Sequence, residues 1–156
     1  MRNFQQFINE IRYRRDRFFL LILSKDKMSR EEIDIFCAKN NIIFLDYRKE
    51  IINNLFPGQV TNIFEFDNEL KRIQDICKIY SGKVILFYNF DLVLSYFDYD
   101  TRKLFWRKIY SHLPHLEAIP GIALLSSSEL LPNKLLEWEE ENRVFVRGIS
   151  NNEYKV

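Results

Sequence analysis

Apolar positions along this chain fall into two rhythms that alternate from end to end. The first is helical. Phe4, Phe7, Ile8 and Ile11 recur at three- and four-residue spacing, which predicts an amphipathic helix over residues 2–14. Ile33, Phe36 and Cys37 predict a second helix to about Asn40, opened by a capping box of Ser29 with Glu32. Leu70, Ile73, Cys77 and Tyr80 predict a third from near Asp67, and Leu104, Phe105, Ile109 and Leu113 a fourth capped by Asp98 or Asp100. The second rhythm is an unbroken run with no polar face, as in a strand buried on both sides. Phe18–Leu23 (FFLLIL), Val84–Phe87 within KVILFYNFD and Pro120–Leu125 (PGIALL) are the three strongest. Ile42–Leu45 and Arg143–Arg147 (RVFVR) are shorter strands, and a short helix is expected across 129–140, broken near Pro132. Residues 47–66 allow both a short helix at 47–55 and a short extended piece at 60–66, with Pro57-Gly58 as a turn signal.

Strand and helix therefore alternate. That order predicts an α/β fold: a three-layer sandwich with a five-stranded, mainly parallel sheet, preceded by an N-terminal helix. At 156 residues the chain suits one domain, with the helix at 1–16, the core at 17–149 and a tail at 150–156. The three most apolar strands form the sheet centre, with Lys83–Asp91 as the stretch the rest is built around. Polar groups beyond the carboxyl ends of such strands lie where open α/β sheets bind ligands.

Composition changes this picture little. Apolar residues make up 47% and aromatics 15%, which excludes a disordered chain. The net charge of +1 favours neither nucleic acid nor an acidic partner, but the charges are unevenly placed. Residues 1–30 hold eight basic residues against three acids, and Glu129–Glu141 holds five acids against Lys134. Cys37 and Cys77 sit in apolar helical patterns, so buried free thiols and a cytoplasmic setting are expected. No apolar run is long enough to span a membrane.

The candidate chemistry is incomplete at each place. A nucleotide-binding phosphate loop needs glycines so that backbone N–H groups can wrap phosphate, then Lys and Ser/Thr for phosphate and magnesium. The loop here, Ser24-Lys25-Asp26-Lys27-Met28-Ser29, has no glycine, and Met28 falls in the lysine or the hydroxyl place in either register. Lys25, Lys27 and Ser29 remain its nucleotide-binding candidates. Asp91 is the metal candidate, late after the strand, with Asn89 and Ser126 as sensor-like polar residues. A phospho-receiver would use Asp26, Asp91, Ser126 and Arg147, a weak match with Arg in the lysine place. His112 and His115 flank Pro114 without a third ligand nearby. Arg12, Arg14 and Arg15, within the cluster Arg12–Arg17, could meet nucleic-acid phosphate, and Arg143 and Arg147 could contact a neighbour. Exposed Tyr88, Tyr96, Tyr99, Trp106 or Trp138 would suit a protein–protein surface.

The succession of the strand and loop at 18–29, KVILFYNFDLVLSYFD, RKLFWRKIY, GIALLSSSELLP and RVFVRG resembles a compact P-loop ATPase core of the AAA type. More narrowly, it resembles the small P-loop proteins of BREX-type phage-defence clusters. The likeness covers most of 18–148. It implies a P-loop-NTPase-like parallel sheet and a role beside larger defence proteins. The chain departs from that family in lacking the Walker A glycines and lysine and in its displaced Walker B acid. The expected function is thus a non-catalytic accessory subunit working through protein contacts, with no cofactor. The alternatives are a nucleotide-dependent switch using ATP and Mg, and a subunit that touches nucleic acid.

Overall fold

The computed structural model describes residues 3–24, 29–53, 65–111, 113 and 116–147, with side chains in 51–53 excepted. The elements run α1 (Phe4–Arg12), β1 (Phe19–Leu23), α2 (Arg30–Lys39), β2 (Ile42–Asp46), α3 (Tyr47–Asn53), α4 (Phe66–Ile79), β3 (Val84–Tyr88), α5 (Asp91–Tyr96), α6 (Tyr99–Ser111), β4 (Ile119–Leu125), α7 (Leu135–Glu140) and β5 (Val144–Arg147). The strands form one sheet in the order β2-β3-β4-β1-β5, and every pairing is parallel.

The three most apolar runs occupy the three inner places, where each strand is hydrogen-bonded to a neighbour on both sides. β4, rather than the 83–91 stretch, is the middle strand. Its Pro120 lacks an N–H, but the ladder to β1 begins one residue later, at Phe19 opposite Gly121.

Alternation in β1 divides the core. Phe19, Leu21 and Leu23 point to one face, where Phe4, Phe7, Ile8 and Ile11 of α1 and Ile33, Phe36 and Cys37 of α2 cover them. Leu20 and Ile22 point to the other, against α4, α5, α6 and Trp138 of α7. The two faces follow from the connections. β1 runs to β2 across the sheet in one direction, while β2, β3 and β4 each run on in the opposite direction. Right-handed crossovers then place the helices on opposite sides.

The caps are local. Asn3 and Gln6 form the capping box of α1, and Ser29 Oγ accepts from Glu32 N–H at 3.1 Å to open α2. Asp98 accepts from Thr101 N–H at 2.8 Å and opens α6. Cys37 and Cys77 are buried free thiols whose pKa burial pushes up to about 12. Among the described residues no helix is long and apolar enough to cross a membrane.

Candidate functional site at the carboxyl edge of the sheet

β1 and β4 are neighbours whose following connections leave in opposite directions, which makes the crevice beyond their carboxyl ends the switch point of the sheet. Ser24 follows β1 there. Its N–H donates to Arg147 carbonyl at 3.3 Å, and its Oγ is buried with no hydrogen-bond partner among the described residues. Ser126 follows β4 and ties the edge together through its N–H to Leu23 carbonyl at 2.9 Å; its side chain is exposed. Ser128 Oγ accepts from Leu130 N–H at 3.1 Å in the turn that follows.

The best-built polar group lies one strand farther along. Asp46 ends β2 in register with Tyr88 at the end of β3. Asn89 follows with φ +63°, a left-handed conformation that asparagine tolerates. Its amide donates to Asp46 Oδ1 at 3.1 Å. Arg30, the first residue of α2, approaches Asp46 Oδ2 at 3.5 Å and lies 5.2 Å from the centre of the Phe44 ring. Burial, then the charges of Asp46 and Asp91, raise the Tyr88 hydroxyl pKa, with Arg30 opposing them. A groove of about 260 Å³ opens here, lined in part by Arg30, Asp46, Lys49 and Glu50.

Both Asp46 oxygens are thus engaged by groups of the same fold. Asp91, the metal candidate, is an exposed residue in the first turn of α5. No cluster of three or more His, Cys, Asp or Glu able to hold a metal ion occurs among the described residues. Lys25, Lys27, His112 and His115 lie outside the described residues. Ser29 is spent as the cap of α2.

The arginine candidates separate. Arg147 stacks on Phe36 at 4.6 Å, at the same carboxyl edge. Arg12, Arg14 and Arg15 lie at the opposite edge, where α1 hands over to β1. Arg14 donates to the backbone carbonyl of Glu141 and to its carboxylate, at 3.3 Å for the latter. The basic and acidic segments of the sequence therefore meet, in part, inside the fold. Arg15 is exposed and Arg12 half-buried.

Arg143 is a correction to the sequence reading. It offers no outward contact, because it is fully buried. Its Nε donates to Phe18 carbonyl and its Nη1 to Tyr110 carbonyl, both at 3.0 Å. Its guanidinium lies 4.5 Å from the Tyr110 ring centre and 4.4 Å from that of Trp138, while Nη2 is buried without a partner among the described residues. Trp106 and Trp138 are likewise buried, whereas Tyr96 and Tyr99 are 54% and 60% exposed.

Sequence reasoning passed over Asp46 as a site residue, although an acid ending a short strand was its visible signal. It also missed a buried Tyr–Glu pair with a half-buried arginine beside it. Tyr47 donates its hydroxyl to Glu69, which pairs with Arg72 at 3.2 Å; Tyr47 and Glu69 are both fully buried. Burial raises the Glu69 pKa above the ordinary carboxyl value, against the opposing effects of Tyr47 and Arg72. Glu69 sits beside Leu70 on the inner face of α4, so its spacing alone placed it among core residues.

Comparison with protein-family models, with characterised proteins and with solved structures finds no match.

Proposed function

We propose that this chain is a P-loop-like α/β domain of three layers that acts without nucleotide chemistry, as an accessory subunit held in a complex by protein contacts. The observation that carries this reading is the self-neutralised Asp46. The best-placed acid of the carboxyl edge is satisfied by Asn89 and Arg30, which leaves it little capacity for a magnesium ion. The glycine-free sequence after β1 supports the same reading, since it begins at the switch point where a phosphate loop needs glycine. Exposed Leu92, Tyr96, Tyr99 and Leu104 of α5 and α6 supply apolar surface of the kind enriched at protein interfaces. The resemblance to phage-defence P-loop proteins supplies the proposed setting, a bacterial complex with larger partners.

Thermal unfolding with and without millimolar Mg-ATP tests the reading. A ligand of the native state present at a hundredfold excess over its Kd adds about 2.7 kcal/mol. The expected result is an unchanged midpoint. A clear upward shift that disappears in Lys27→Ala overturns the proposal and establishes a nucleotide switch.

A further inference from the structure

A cavity of about 100 Å³ lies between α6, α7 and the 130–134 turn, and shares no lining residue with the groove at Asp46. Trp106, Tyr110 and Trp138 form its wall. The two indoles meet edge to face at 5.9 Å, and Tyr110 stands 5.2 Å from Trp138. The wall is rigid. Both indoles are nearly fully buried, and Trp106 Nε1 is committed to Leu130 carbonyl at 3.0 Å. The mouth is cationic. Lys103, Arg107 and Lys134 line it as exposed residues, against one acid, Glu137, which lies 3.7 Å from Lys134. The buried Arg143 stacks on two of the wall rings, its charge paired with Glu141 at 3.8 Å.

Size selects the occupant. Small-molecule and cofactor sites run to roughly 300–1,000 Å³, and even benzene is held by a cavity of about 150 Å³. A space of about 100 Å³ therefore takes one aliphatic side chain rather than a nucleobase or sugar. Charge selects what flanks that side chain: carboxylates facing Lys103, Arg107 and Lys134. A buried aromatic pocket inside a charged rim is also the usual anatomy of an interface hot spot.

We infer that this pocket docks a short acidic segment of a partner protein, which inserts one leucine-sized side chain against Trp106 and Trp138. The inference rests on the proposed contact-module function and names its partner chemistry. The two fail separately. Stabilisation by Mg-ATP overturns the module and leaves peptide binding to be measured, whereas flat peptide titrations remove this pocket and leave the module to another surface.

Trp106 and Trp138 are the only tryptophans of the chain, so intrinsic fluorescence reports directly on the pocket. The probes are synthetic peptides with two glutamates on each side of a central glycine, alanine or leucine, titrated at low salt. The expected result is a saturable change with the leucine peptide and affinity at least about tenfold weaker with glycine. The double variant Lys103→Glu, Lys134→Glu should lower leucine-peptide affinity by about tenfold or more at an unchanged thermal midpoint. The inference is overturned by equal affinity for glycine and leucine, by no saturable change with any peptide, or by indifference to the charge reversal. A stronger response to oligothymidylate than to every peptide also overturns it and gives the surface to nucleic acid.

Discussion

Glu69 gives the fold a pH dependence with a defined sign. Burial raises its pKa, so the folded chain holds this proton more tightly than the unfolded chain does. Its contribution to stability is full below the ordinary carboxyl value of 4.5 and is lost as pH rises through the folded value. Urea unfolding at a series of pH values should show wild-type stability falling above about 4.5 relative to Glu69→Gln, whose amide keeps an acceptor for Tyr47. A parallel pH profile for the two proteins would remove Glu69 as the source. Arg143 makes a second prediction. Lysine keeps the charge but lacks the planar fork that reaches two carbonyls while stacking between two rings. Arg143→Lys should cost about 2–3 kcal/mol, read by urea unfolding. Arg143 was not legible as buried from the sequence, and for Glu69 only its spacing along α4 gave a signal. A polar side chain enters a core only where partners meet it, and Tyr47 for Glu69 and the Phe18 and Tyr110 carbonyls for Arg143 come from distant segments, placed by tertiary structure. The exposed aromatics were ambiguous for the same reason: Trp106 and Tyr99 share one helix, and only the packing tells them apart.

At the scale of elements, the sequence carried most of the information. Continuous apolar runs became the inner strands, because burial on both faces leaves no place for polar residues. The 129–140 helix shrank to α7, since Pro132 and the turns around it consume the earlier residues. Helix ends were harder to see. Asn41 and Asn142 take positive φ just beyond α2 and α7, doing the work that glycine usually does. Gly121 is different: it makes room. A Cβ there would stand 2.2 Å from Cζ of Phe19, whose ring packs against Phe4 and Phe7. Gly121→Ala should therefore destabilise by about 1–3 kcal/mol. In combination with Phe19→Leu the penalty should be less than additive, and a double-mutant cycle measures the difference. Strict additivity would mean that the ring is not the obstacle.

At the scale of the whole molecule, the α/β class and the parallel sheet could be read from alternation alone, but the strand order could not. Pairing is settled by which crossover each connection makes, and no local pattern records it. The carboxyl edge shares this limit. Asp46, Asn89 and Arg30 come from three separate stretches, so their mutual neutralisation appears only once β2 and β3 lie side by side. The same topology bears on how the chain is made. β1 leaves the ribosome well before its partners β4 and β5, which lie roughly a hundred residues or more downstream. At about 5–20 residues per second, the FFLLIL segment waits on the order of ten seconds before either neighbour exists. Until then it is an unpaired apolar ribbon, the kind of surface that holdase chaperones cover and that nascent chains otherwise share with one another.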